Sequence, residues 1–298
     1  MSNRWKKSVI HLECATDSLY FKERDDHISS LQDKLSTGEI TQEEYFSELD
    51  KGTRDLRFQG SALFLEHKKR RYLVTARHVL LDKTATEKRN LDFPMIFNMI
   101  FRVPSLDEVS NSNEGRIEFL MNLGAGLPSH APYTFSSPEL DLAIISLDSR
   151  NTDFANQLIQ LGYTPMPSDF IDDLPNEEGE DVYTIGFPQA TSLLGQLKQH
   201  SAAKMWSSSN YSLPVFSYGK VSMTHESLPF YWCDMSIYPG NSGGPVFSGE
   251  RLVGVVSAQA STPLDGVPQI RTRIPFAKVI KSCHVKELLS LQIPKDCL

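Results

Sequence analysis

Ser61-Ala-Leu-Phe-Leu65, the polar turn His67-Lys-Lys-Arg70, and Arg71-Tyr-Leu-Val-Thr75 leading into Ala76-Arg-His78 form the stretch on which the fold turns. Two short apolar runs rich in β-formers, joined by a tight polar connection, predict an antiparallel hairpin. Similar runs recur at Val9 to Leu12, Met95 to Val103, Ile117 to Met121, Leu142 to Leu147, Val182 to Gly186, Val215 to Val221, Tyr231 to Ile237, Pro245 to Phe247, Leu252 to Ala258 and Ile270 to Ile274. Many short strands separated by Gly, Pro, Ser and Asn turns predict an all-β antiparallel sandwich or barrel with minor helices.

Two helical departures interrupt this texture. Between about 22 and 52 the sequence turns charged, with Ile28, Leu31 and Leu35 at helical spacing, Gly38 as a stop, and Thr41-Gln-Glu-Glu44 as a capping box ahead of Tyr45, Phe46 and Leu49. That pattern predicts a helical-hairpin insertion, and it resembles the short helical hairpins often appended to bacterial proteins. Near the end, Phe276, Val279, Ile280, Cys283, Leu288 and Leu289 predict one C-terminal helix from about Pro275 to Leu291. Residues 150 to 176, polar and carrying Pro165, Pro167 and Pro175, read as a linker between two β units. The resulting division is 1–21 as an N-terminal strand segment, 22–52 as the insertion, 53–160 as a first β unit, and 161–298 as a second with its helix.

Composition narrows the function classes. The 298 residues are 40% hydrophobic, and 30 basic against 37 acidic side chains leave a net charge of −7. Such a balance gives no general attraction to nucleic acid or anionic membrane, so neither is expected as a partner. The basic hairpin tip at His67 to Arg70 reads as a solvated loop, because no aromatic platform accompanies it. Cys14, Cys233, Cys283 and Cys297 show no C-x-x-C pairing, so no metal site and no cofactor is expected. With no signal-peptide core near the start and no run of about 18 apolar residues, a cytoplasmic location is the expectation.

The chemistry concentrates in Pro239-Gly-Asn-Ser242-Gly-Gly-Pro-Val-Phe247. Glycines flanking a serine allow unusual backbone angles and close approach of another molecule. Such a turn suits a nucleophile whose neighbouring amides, here those of Gly240 and Ser242, converge on a developing oxyanion. It also suits a plain β-connection or an anion-binding nest. A serine nucleophile needs a base, and His78 stands at a strand-to-loop corner behind small Ala76. A carboxylate must orient that base, and Asp141 opens the run Asp-Leu-Ala-Ile-Ile145. His11, His67, His200, His225 and His284 lack a comparable setting and read as ordinary packed or solvated side chains.

Taken in order, Gly60-Ser-Ala-Leu-Phe-Leu with Tyr72-Leu-Val-Thr-Ala-Arg-His-Val79, then Asp141-Leu-Ala-Ile-Ile, then Gly240-Asn-Ser-Gly-Gly-Pro-Val-Phe247, the sequence resembles the chymotrypsin-like serine peptidases. Their disulfide-free bacterial branch, which includes the HtrA-type proteases, is the nearest comparison, over residues of about 56 to 285. The resemblance implies two antiparallel six-stranded β-barrels, the first carrying His78 and Asp141 and the second Ser242. It implies His78 as general base and acid, Asp141 as its orienting partner, Ser242 as nucleophile, and the Gly240 and Ser242 amides as the oxyanion hole. Ser257, Ala258 and Gln259 would form the edge strand that pairs with an extended peptide, and Ser236 would lie at the floor of the primary pocket.

The departures from the family also carry expectations. Tyr238 and Asn241 stand where relatives activated by a freed N-terminus carry other residues, so activation by propeptide cleavage is not expected. The stretch after the last expected strand is too short for a PDZ domain. Without a carboxylate at Ser236, small or apolar side chains would suit the pocket, unless Arg271 or Arg273 points inward and favours acidic ones. A protein or peptide substrate is implied, together with a regulatory partner or oligomer contact through residues 22–52. A histidine base predicts a rate that falls below about pH 6 to 7. Two other functions fit parts of the sequence: a catalytically silent peptide-binding module, and an esterase reading Gly240-Asn-Ser-Gly-Gly244 as a nucleophile elbow. The latter would need its acid and histidine after the serine, where Asp265 and His284 are the plausible partners.

Overall fold

A computed structural model describes residues 4–15, 18–51, 56–88, 90, 92, 95–97, 99–111, 120–122, 131–149, 152–189, 195–196 and 210–297. The hairpin read from the sequence is present as strands Leu56–His67 and Arg70–Ala76, with Leu63 opposite Val74. Lys68 and Lys69 take φ of 50° and 65° at its tip, the left-handed pair that a two-residue turn needs to follow strand twist.

The hairpin lies in an antiparallel sheet whose strands run in the order Leu120–Asn122, Met99–Arg102, Val9–Ala15, Leu56–His67, Arg70–Ala76, Leu142–Ser146, Tyr133–Phe135. Met166–Pro167 adds a short parallel pairing to Leu65 and Glu66. Period two explains why these strands are apolar almost throughout. Ile10, Leu12, Ala62, Phe64, Leu73, Ala143 and Ile145 face the core of this half. Their neighbours Val9, Leu63, Leu65, Tyr72, Val74, Leu142 and Ile144 face a second cluster shared with Ile185, Phe247, Leu252, Val255 and Ile280 of the other half. Both faces are buried, so both are mainly apolar, and the polar side chains they carry, His11, Ser61 and Thr75 among them, are buried too.

The second half is a closed barrel of six strands: Asp181–Gly186, Val215–Met223, Phe230–Met235, Val267–Lys281, Arg251–Leu264 and Pro245–Ser248. Val182, Val221, Tyr231, Cys233, Val246, Val256 and Val279 fill it. The first half departs from the expected closed barrel, because its two outermost strands do not pair among the described residues. The edge strand Tyr133–Phe135 is covered by a helix instead. Lys295 Nζ donates to the Tyr133 carbonyl at 3.1 Å, Thr134 Oγ1 to Gln292 Oε1 at 2.7 Å, and Gln292 Nε2 to the Ala131 carbonyl at 3.4 Å.

That covering element is the C-terminal helix, Cys283–Asp296. It begins later than its apolar spacing suggested. Phe276, Val279 and Ile280 belong to the strand Val267–Lys281, which also absorbs the expected strand Ile270 to Ile274. Ala277 and Val279 point into the barrel and Ile280 out towards the shared core. A β-branched pair fits a strand face as readily as a helix face, and barrel closure decided between them. The expected linker likewise holds a helix, Thr152–Gln160, whose Phe154, Ala155 and Leu158 pack into the first core. Of the expected strand Ile117 to Met121, residues 117–119 lie outside the described residues, and Leu120 and Met121 are in a strand.

The insertion is a hairpin of helices Ser18–Ser36 and Gln42–Lys51, set between two paired strands of the first sheet. Gly38 takes φ 76° between them. The Thr41 amide donates to the Glu44 carboxylate at 2.8 Å, and the Glu44 amide returns a 3.2 Å bond to Thr41 Oγ1. The capping box is therefore formed on both sides.

The interface between the halves buries a histidine that sequence reading treated as ordinary. His11 stacks on Phe187 with ring centroids 4.6 Å apart, and its Nδ1 meets Ser212 Oγ at 2.6 Å. Burial pulls its pKa down to about 3. Below about pH 6.5 the unfolded chain takes a proton that the folded chain refuses until about pH 3. The stability tied to the neutral ring is thus complete above pH 6.5 and is lost as pH falls, by about 1.4 kcal/mol per unit. Denaturant unfolding at pH 7.5 and 5.5 should show a loss of stability that shrinks by about 1.4 kcal/mol in His11→Gln. Identical losses in the two proteins would place the effect elsewhere.

Candidate active site

Strand register brings His78 and Asp141 together. Arg70–Ala76 pairs with Leu142–Ser146 so that Ala76 lies opposite Leu142. The first two residues beyond the first strand's end, Arg77 and His78, therefore meet Asp141, the residue before the second strand's start. His78 stands in the single 3-10 turn Arg77–Leu80. Asp141 takes φ 48°, a left-handed backbone that aspartate tolerates better than most residues, and its carbonyl accepts the Arg77 amide at 2.9 Å.

The Asp141 carboxylate accepts three hydrogen bonds. Oδ1 takes the His78 amide at 3.0 Å, and Oδ2 takes both His78 Nδ1 and Ser257 Oγ at 2.7 Å. Burial would raise the pKa of this acid. The bonds from His78, its charge, and the Ser257 hydroxyl outweigh burial and hold it below the ordinary carboxylate value. An ionised carboxylate only accepts, so Nδ1 carries the proton and Nε2 of the neutral ring is left as an acceptor. Ser242 Oγ lies 3.0 Å from that Nε2.

The serine turn is anchored from both halves. Gly240 and Gly243 take φ of 102° and 84°. The Gly243 amide donates to the Val256 carbonyl at 2.8 Å, and the Val256 amide to Gly244 at 2.9 Å. From the first sheet, the Ser61 amide donates to the Ser242 carbonyl at 2.8 Å and Ser61 Oγ to the Gly240 carbonyl at 2.7 Å. Ser61 Oγ in turn accepts the Phe187 amide at 3.1 Å. The Gly240–Asn241 peptide is thereby held, and the Pro239 carbonyl, which shares its peptide group with the Gly240 amide, accepts the Gln189 amide at 2.8 Å. The amides of Gly240 and Ser242 find no internal acceptor among the described residues.

These groups open onto a cleft of about 310 Å³ lined by Ile237–Pro239, Val256–Gln259, Phe58 and Arg273 together with His78, Asp141 and Ser242. Phe58 sets its ring edge-on to the His78 imidazole, centroids 5.6 Å apart. A sequence profile described as the trypsin-like peptidase domain matches residues 60–255, well over half of the chain. The chain belongs to this family. No curated protein matches it.

The residues singled out in the sequence separate into three groups, of which Ser257, Ala258 and Gln259 lie just beyond the matched trypsin-like stretch. His78, Asp141 and Ser242 meet in one hydrogen-bonded line on the cleft, while Gly240, two residues before Ser242 in the same turn, is not among the lining residues. Ser257, Ala258 and Gln259 all line the cleft, and the Ser257 hydroxyl is taken up by Asp141. Ser236 is not a lining residue. Met235 and Ile237 on either side of it are buried, so alternation turns Ser236 outward to an exposed position. Ser61 and Phe58 were not foreseen. Both lie in a strand whose sequence announces only packing.

Proposed function

We propose that this chain is a serine endopeptidase that opens peptide bonds through an acyl-enzyme on Ser242. The observation that carries the reading is the line from Asp141 through His78 to Ser242 Oγ, with the amides of Gly240 and Ser242, unpaired among the described residues, in the same turn. Ser242 Oγ attacks the carbonyl carbon of the scissile bond as His78 Nε2 takes its proton. The C=O electrons move onto oxygen, where the two amides receive the charge. Collapse of the tetrahedral adduct expels the amine, which leaves with the proton from His78. Water then repeats the sequence on the ester, with His78 as base and then acid, and releases the carboxylate product and free Ser242.

The edge of the strand Arg251–Leu264 supports peptide binding. Pro245 and Val246 pair with Val255 and Gly254, and beyond Val256 that side of the strand borders the cleft at Ser257–Gln259. An extended substrate can add there as a further strand.

A fluorophosphonate probe tests the proposal. It should label the wild-type protein at one site, with labelling abolished in Ser242→Ala and at least about a hundredfold slower in His78→Ala. A wild-type protein that stays unlabelled, or label on any residue but Ser242, would overturn it.

A further inference from the structure

We propose that the cleft selects substrates with an acidic side chain, Asp or Glu, on the acyl side of the scissile bond, and that Arg273 is the residue that recognises it. The inference rests on Ser242 acting as the nucleophile. The cleft, at about 310 Å³, is sized for one side chain rather than for a folded surface, and it reaches from Ser242 to Arg273. Its acidic and basic lining side chains are three, His78, Asp141 and Arg273. His78 and Asp141 are committed to each other at 2.7 Å, which leaves Arg273 as the charge available to a substrate.

The arginine two residues earlier shows what commitment would look like. Arg271 donates from Nε to Ser261 Oγ at 3.0 Å and from Nη2 to the Ser261 carbonyl at 2.7 Å, so its guanidinium is tied along the ribbon formed by Arg251–Leu264 and Val267–Lys281. Arg273 stands opposite the same Ser261, yet its guanidinium has no acceptor and no carboxylate partner among the described residues. Gln259, also on the lining, has a buried Oε1 without a partner among the described residues; an amide oxygen only accepts, so it offers a carboxylate nothing, and recognition of an acid falls to Arg273. Ile237 and Val256 cover the methylene part of an entering side chain.

A planar guanidinium by itself matches a carboxylate, which accepts two parallel hydrogen bonds from it. Lysine or arginine in the substrate would instead meet a like charge. A neutral isostere loses only the charge-assisted part. Because Arg273 is itself exposed, that part is modest, so glutamate over glutamine should amount to about tenfold in kcat/KM rather than thousands.

Peptide substrates differing only at the acyl-side residue, Glu, Asp, Gln, Leu or Lys, give the test, with competent enzyme counted by fluorophosphonate titration. Wild type should cleave after Glu or Asp about tenfold or more faster than after Gln, with the gain reduced by high salt. Arg273→Gln should bring the Glu-to-Gln ratio near one, and Arg273→Glu should turn the preference towards Lys. A labelled enzyme that favours Leu or Lys, or an Arg273→Gln protein that keeps the acidic preference, overturns this inference alone. An unlabelled wild type removes the serine-peptidase reading and this one with it.

Discussion

Asp141→Asn is expected to lower kcat by about 10⁴-fold while leaving KM within a few-fold. Asparagine is nearly isosteric and shares aspartate's tolerance of the left-handed backbone, so the φ of 48° at this position gives no reason for misfolding. The loss arises from donor and acceptor matching. Three donors converge on the carboxylate, namely the His78 amide, His78 Nδ1 and Ser257 Oγ, and an amide has one oxygen to offer them. If its NH2 faces Nδ1, the ring must carry its proton on Nε2 and donate towards Ser242 instead of accepting from it. If its oxygen faces Nδ1, the NH2 confronts the His78 backbone amide, and the imidazolium of the transition state has lost its counter-charge. Either geometry removes stabilisation that exists only during reaction, which is why kcat carries the effect. Steady-state kinetics on a peptide substrate, with thermal unfolding as a check on folding, decides the matter. Activity within tenfold of wild type would deny Asp141 this role. Ser257→Ala removes one of the three donors and should be milder, within about tenfold.

How much of this was legible beforehand follows from the range of each interaction. His78, Asp141 and Ser242 could be read because each sits in a local signature, a strand end, a strand start and a glycine turn, and their order along the chain joined them. The helical hairpin was legible for the same reason, since Gly38, Thr41 and Glu44 act on neighbours a few residues away. What escaped was set by contacts distant in sequence. Ser61 is one hydroxyl in an apolar strand, and its bonds run 179 and 126 residues along the chain. His11 looked like any strand histidine until Phe187 and Ser212 closed over it. Ser236 was placed by counting back from Ser242, and the in-out alternation of Met235 to Ile237 overrode the count. The first half was expected to close on itself, but the helix Cys283–Asp296 brought polar side chains to the Tyr133–Phe135 edge. A helix boundary and an edge strand's cover are both decided by packing that no local window contains.

Gly240→Ala is expected to lower kcat by about 10² to 10³-fold, again with KM largely kept. A methyl group there would run into the Phe187 carbonyl oxygen, and φ of 102° is a conformation that alanine resists. The peptide must rotate to relieve both, and rotation takes the Gly240 amide away from the oxyanion. Ser61→Ala should produce a weaker version of the same defect from the opposite side of the interface. It deletes the hydroxyl that holds the Gly240 carbonyl and leaves the Phe187 amide without its acceptor. That change costs about 1 to 3 kcal/mol of stability, but lost stability alone would lower the amount of folded enzyme and leave kcat per competent site unchanged. A positioning role predicts a fall in kcat per site of about tenfold or more, matched by slower phosphonylation, because the phosphonate oxygen draws on the same amides. If Gly240→Ala turned over within threefold of wild type, the charge would have to be stabilised without its amide. If only that protein and not Ser61→Ala were slowed, the turn would hold its shape without help from the first sheet.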